Sequence, residues 1–170
     1  ARTVHTFWRR HGIKTRTLQQ LPRKIAANTS YFEKIDSHEK AQVLGLIAAD
    51  GCVSDAKERF PNQGFGNVLS INLQERDKEY LEEIRRRMGS GATLKLLKYK
   101  PPAQNQFRLT VCSNKIVDDL KKLGICSRKS YGMSFPSVEQ VPEEFIPSFV
   151  LGYLEGDGCI TNWVDGNYFT

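Results

Sequence analysis

Two aspartates, Asp50 and Asp157, stand at matching places in two copies of one pattern. The first copy reads Val43-Leu44-Gly45-Leu46-Ile47-Ala48-Ala49-Asp50-Gly51-Cys52-Val53-Ser54. The second reads Val150-Leu151-Gly152-Tyr153-Leu154-Glu155-Gly156-Asp157-Gly158-Cys159-Ile160-Thr161. The second acid follows the first by 107 positions, from 50 to 157, which points to a duplicated unit of domain-half size. Each copy is an apolar run of helical type. Gly45 and Ala49 share one helix face, as do Gly152 and Gly156, because residues four apart lie one above the other. Small residues at that spacing let two helix backbones approach closely. If the two helices pack side by side and parallel, they end at the same level, and Asp50 and Asp157 meet there. The helix dipole is negative at that end and the two acids repel each other. A divalent metal is the natural counter-charge. Gly51 and Gly158 are then expected in the left-handed conformation that closes a helix.

The elements that must position these acids can be read in order. Ser37 caps a first helix over 38–50, and Val53 starts a strand. Residues 55–66 form a hairpin loop with Pro61, Gly64 and Gly66. The stretch from Val68 to Arg76 alternates: Leu69, Ile71 and Leu73 face a core, while Ser70, Asn72, Gln74 and Arg76 face away. Asp77 caps a helix to about Met88, with Tyr80, Leu81, Ile84 and Met88 as its apolar face. A strand region over 92–100 ends at Pro101-Pro102. Its partner over 104–112 points Phe107, Leu109 and Val111 inward and Gln106, Arg108, Thr110 and Cys112 outward. Asn114 caps a short helix over 115–123, and a basic connector over 126–141 follows. Pro142 begins a helix that bends near Pro147 and enters the second motif. Residues 38–135 therefore read helix–strand–strand–helix–strand–strand–helix. That is an α+β unit with an antiparallel four-stranded sheet, to which the second motif helix is added.

The outward sheet face carries Ser, Asn, Gln, Arg and Thr. Arg pairs with guanine edges and Asn or Gln with adenine edges, and a sheet can lie in the major groove. Arg76, Lys95, Lys98, Lys100 and Arg108 would add phosphate contacts. The alternative is an ordinary wet sheet face. The formal net charge of +6 is compatible with a polyanionic partner without requiring one. Cys52, Cys112, Cys126 and Cys159 form no CxxC pair and lie at no metal-ligand spacing from a His. They read as small buried hydrophobes in a reducing, intracellular compartment. His5, His11 and His38 read as surface residues with no evident partner. No apolar run approaches the roughly 18–20 residues of a membrane span, and no signal peptide is evident. The chain opens on Ala1 instead of Met, which reads as a processed or cut chain.

The double motif resembles the LAGLIDADG homing endonucleases, in particular the two-motif monomeric members, over roughly residues 38–161. The resemblance implies a helix–strand–strand–helix–strand–strand–helix unit whose sheet is a saddle on double-stranded DNA. It implies site-specific, Mg²⁺-dependent double-strand cleavage at a long target, the activity of intron homing and mobile elements. Asp50 and Asp157 become the metal ligands. Ser70, Asn72, Gln74, Arg76, Lys95, Lys98, Lys100, Gln106, Arg108, Thr110 and Arg128 become the DNA-binding set. Lys129 resembles the basic residue that the family places beside each metal, with Arg128 as its substitute. The alternative for Lys129 is a phosphate contact or a solvated lysine. Gln74 is a second candidate for orienting water. Ala48 departs from the acid usual at that position, whereas Glu155 keeps one, so the halves are inequivalent.

By this reading residues 1–37 are a basic N-terminal arm: either a helical DNA-binding appendage or a solvated arm packed on the domain. Residues 38–141 are the first half, and 142–170 the start of a truncated second half. Residues 159–170 are expected to hold at most one strand start. The second sheet would then come from elsewhere, including another chain, and this chain alone would cut weakly or not at all. A different class of function uses the same scaffold without cutting, as a DNA- or RNA-binding maturase or regulator. A third is a purely structural α+β domain. An intein is disfavoured, since Ala1 is no splicing nucleophile.

Overall fold

A computed structural model describes residues 11–12, 27–54, 66–127 and 132–158. Most of the basic arm, the hairpin loop after Ser54, Arg128, Lys129 and everything after Gly158 lie outside the described residues. The element order is α1 (His38–Asp50), β1 (Gly51–Ser54), β2 (Val68–Gln74), α2 (Lys78–Arg87), β3 (Lys95–Leu97), β4 (Gln106–Cys112), α3 (Asn114–Lys122) and α4 (Ile146–Asp157). Short 3-10 turns, Glu75–Asp77 and Glu143–Phe145, lead into α2 and α4. The fold is α+β with a four-stranded antiparallel sheet in the order β1-β2-β4-β3.

Alternation in β2 and β4 gives the sheet its two faces. The pairs Leu69–Val111, Ile71–Leu109 and Leu73–Phe107 stand in register on the core side, where apolar cross-strand pairs stabilise a sheet. Leu81, Ile84 and Met88 from the α2 region and Ile116, Val117 and Leu120 of α3 close over that side and are buried. Arg85, Arg86 and Arg87 in the last turn of α2 suit its negative end. Gly89 then takes φ +57° and ends the helix.

α1 is apolar nearly all round, since the sheet covers one side and α4 another. Ala41 and every residue from Val43 to Ala49 are buried. Ser37 caps its start, the hydroxyl accepting from the Lys40 N–H at 3.3 Å.

Several local expectations are corrected. Ser113, not Asn114, caps α3, its Oγ accepting from the Ile116 N–H. Asn114 Oδ1 instead accepts from the Asn67 N–H at 3.0 Å and pins the entry to β2. Asp77 makes no side-chain capping bond, because the chain enters α2 through a 3-10 turn in which Asp77 lies 3.7 Å from Arg76. β2 stops at Gln74, so Arg76 leaves the sheet for that turn. β3 covers 95–97 only, pairing with β4 at the sheet edge, and Ala92 is buried ahead of it. β1 begins directly at Gly51. Pro147 falls in the first turn of α4, where its missing N–H breaks no helical bond, so α4 is continuous. Cys52 and Cys112 are exposed and Cys126 is half-buried, since the first two sit at outward positions of β1 and β4.

Candidate functional site: two helix ends and a polar sheet face

α1 and α4 pack against each other through their glycines. A Cβ on Gly45 would stand 2.0 Å from the Phe149 carbonyl oxygen and 2.8 Å from the Tyr153 nitrogen. A Cβ on Gly152 would stand 1.9 Å from the Gln42 carbonyl oxygen and 3.0 Å from the Leu46 nitrogen. Gln42, Gly45 and Leu46 occupy the same motif positions as Phe149, Gly152 and Tyr153. The contact is therefore reciprocal, as across a two-fold axis. No side chain larger than hydrogen fits at either position. One turn on, a Cβ on Gly156 would lie 2.4 Å from the Ala49 Cβ and 3.2 Å from Asp50 Oδ2. Like motif positions lie side by side, so the helices are parallel and end at one level. At the opposite end His38 and Phe145, again equivalent positions, meet edge to face at 5.0 Å. His38 is exposed as expected, but it has partners: its Nδ1 is also hydrogen-bonded to Ser148 Oγ at 2.9 Å.

The two helix ends match in detail. Gly51 has φ −70° and ψ 149°, and Gly158 has φ −71° and ψ 140°. The cap N–H of Gly51 donates to the Ile47 carbonyl and that of Gly158 to the Leu154 carbonyl. Neither is left-handed, contrary to expectation. Glycine serves here by having no Cβ, which would lie 2.5 Å from the Ile47 oxygen in one case and 2.1 Å from the Leu154 oxygen in the other. The chain turns from helix to extended backbone within one residue. Gly51 pairs with Ile71 of β2, so Asp50 stands directly at the sheet.

This junction gathers negative charge. Neither helix has a basic residue in its last turn, and each ends on aspartate. Asp50 and Asp157 are both exposed. The Asp50 carboxylate lies over Gly156, the residue next to Asp157, so the two aspartates stand at neighbouring backbone positions of the junction. No group of three His, Cys, Asp or Glu side chains able to hold a metal occurs among the described residues. Two carboxylates do not make a closed protein cage. They do fit Mg²⁺, which takes one or two carboxylates and fills its octahedron with water and phosphate oxygens.

Glu155 faces elsewhere. Its carboxylate accepts from Gln42 Nε2 at 2.9 and 3.1 Å and from the Tyr80 hydroxyl. Gln42 Oε1 in turn accepts from Arg87 at 3.2 Å, and Arg87 Nε donates to Glu83 at 2.9 Å. Burial, reinforced by the hydrogen bond to Glu155, pushes the Tyr80 phenol far above its ordinary value. This chain of bonds ties α4 to α1 and α2, and sequence spacing gave no sign of it. Ala48, at the equivalent position, is only 2% exposed.

The outward sheet face gathers most of the expected nucleic-acid residues. Ser70 pairs with Thr110, Asn72 with Arg108 and Gln74 with Gln106, and Lys95 stands opposite Arg108 on the next strand. Arg108 Nε donates to Asn72 Oδ1 at 2.8 Å. Gln74 Oε1 is buried and has no hydrogen-bond partner among the described residues. Lys98 and Lys100 follow β3 and are exposed. Between them Tyr99 is 45% exposed, an aromatic within a basic run. Arg76 is not on this face, and Arg128 and Lys129 lie outside the described residues. No helix among the described residues is long and apolar enough to cross a membrane. No known family model matches this sequence, and no curated protein matches it.

Proposed function

We propose that this chain belongs to a site-specific DNA endonuclease of the LAGLIDADG homing type, making Mg²⁺-dependent double-strand breaks in a long target. One observation carries the reading: the reciprocal Gly45–Gly152 seam brings two Asp-Gly helix ends to one level, beside a sheet whose outer face is polar and basic. Asp50 and Asp157 would hold Mg²⁺, which supplies charge neutralisation and an acidified water when bound. Ser70, Asn72, Gln106, Arg108 and Thr110 meet base edges, and Lys95, Lys98 and Lys100 meet phosphates. Lys129, or Arg128 in its place, supplies positive charge beside the scissile phosphate, and Gln74 orients water. Exposed thiols at Cys52 and Cys112 fit a reducing, intracellular compartment.

A second half is part of the proposal. Val43, Leu44 and Ile47 of α1 are 0% exposed beneath their sheet. Their equivalents on α4, Val150, Leu151 and Leu154, are 37%, 51% and 56% exposed. Val150 and Leu154 border an apolar groove of ≈ 260 Å³ shared with Met133, Phe135 and Tyr153. A second sheet, from further sequence or another chain, would cover that face.

A non-cleaving DNA- or RNA-binding protein on this scaffold, a maturase or regulator, is the second reading. It needs the polar, basic sheet face and neither aspartate.

The test uses the full chain, long duplex DNA and Mg²⁺. Binding should weaken steeply with salt, and double-strand cutting should need a supplied second half. Asp50→Asn should keep binding and abolish cutting. Retained cutting in that variant would exclude the metal role. Absence of any salt-dependent binding would leave only a structural domain. Robust cutting by the lone chain would overturn the two-half architecture.

A further inference from the structure

The sheet face contains one row unlike the others. Asn72, Arg108 and Lys95 stand in register across β2, β4 and β3. Arg108 gives its Nε–H to Asn72 Oδ1 at 2.8 Å. Its Nη groups make no hydrogen bond among the described residues, and the outward positions of all four strands include no Asp or Glu to draw them aside. Asn72 turns its Oδ1 toward Arg108, with one lone pair engaged by this bond, and keeps its Nδ2 donors. Lysine has donors only. The row therefore presents mainly donors: an amide NH₂, a guanidinium and an ammonium. The neighbouring rows, Cys52–Ser70–Thr110 and Gln74–Gln106–Leu97, carry hydroxyl or amide groups that both donate and accept.

A donor-rich row centred on a guanidinium matches the major-groove edge that offers two acceptors and no donor, the N7 and O6 of guanine. Resting on the DNA-binding reading above, we infer that Arg108 reads a guanine end-on through its two Nη groups, and that Asn72 is its positioning residue instead of an adenine reader. Holding Nε fixes the plane of the guanidinium before DNA arrives, so less side-chain freedom is lost on binding. Lys95 extends the same acceptor preference to the adjoining base or phosphate.

The experiment is selection from a randomised duplex library by the full chain without metal, followed by affinity measurement on single-base variants of the selected site. The wild type should prefer guanine at one position by roughly ten- to a hundred-fold. Arg108→Ala and the charge-keeping Arg108→Lys should both level that position and leave the others intact. Asn72→Leu should lower the guanine preference several-fold with unchanged thermal midpoint. Asn72→Asp, which restores the acceptor, should recover the preference at lower overall affinity. A selected site in which no position responds to Arg108→Lys overturns this inference and leaves the DNA-binding reading standing. So does a uniform loss across all sites in Asn72→Leu. Failure of the wild type to bind any duplex overturns both.

Discussion

Gly45 and Gly152 each lie against the backbone of the opposite helix, and each touches the residues equivalent to those that touch the other. Alanine at either position would collide with a carbonyl oxygen at about 2 Å. Backbone cannot step aside as a flexible side chain can. Gly45→Ala or Gly152→Ala should each cost about 3 kcal/mol, the upper end for overpacking, read as a lower urea midpoint. The double variant should cost clearly less than the sum, because helices already forced apart accommodate the second methyl.

Gly51 and Gly89 both end helices, for different reasons, and one substitution separates them. Gly89 has φ +57° and room for a Cβ, with its nearest neighbour at 3.4 Å. Gly51 has an ordinary φ and no room. Asparagine tolerates left-handed backbone, so Gly89→Asn should cost less than about 1 kcal/mol. Gly51→Asn should cost several times more. Equal losses in thermal unfolding would contradict this division.

Asp119 is buried between Lys115 and Lys122, accepting from them at 2.9 and 3.1 Å. Burial alone would raise its carboxyl, but the two lysine bonds outweigh burial and hold it below the ordinary 3.8. A carboxylate depressed on folding contributes stability above its unfolded value and loses it as pH falls through the folded one. Asp119→Asn should thus destabilise by about 1–2 kcal/mol near neutral pH, a range set by the exposure of both lysines. The difference from wild type should shrink as pH falls below 3.8 and disappear once pH has passed the lower folded value. Urea melts across pH 2–7 would show it.

Tyr31 carries a buried hydroxyl with no partner among the described residues, and burial pushes its phenol up to about 12. Removing an unsatisfied polar atom relieves its desolvation cost. Tyr31→Phe should be neutral or stabilising by up to about 1 kcal/mol in a thermal melt. A clear loss would reveal a bonded hydroxyl.

If the sheet face binds DNA, Lys95, Lys98 and Lys100 act through phosphates. Each lysine-to-alanine change should lower the salt dependence of binding by about one counterion and weaken all sequences alike.

The seam between helices was legible because glycine spacing states directly which face must admit a backbone. Strand alternation was equally plain: Leu69, Ile71 and Leu73 went inward as read. What escaped was whatever depended on neighbours distant in sequence. The bonds of Glu155 to Gln42 and Tyr80 join three elements, and nothing local announces them. The conformation of Gly51 was misjudged because turn chemistry offers two uses for glycine, and crowding by the Ile47 carbonyl selected the other. Arg76 continued the alternating pattern, yet the strand had ended. Period alone does not mark where pairing stops.

The contrast between Ala48 and Glu155 makes the two copies impossible to permute. Exchanging the sequences of α1 and α4 would put a carboxylate at position 48, now 2% exposed, and part it from Tyr80. An unmatched buried acid costs several kcal/mol. A swapped chimera should fail to fold, although every glycine in its seam would be preserved. The two helices share one pattern, but their order along the chain is one-way.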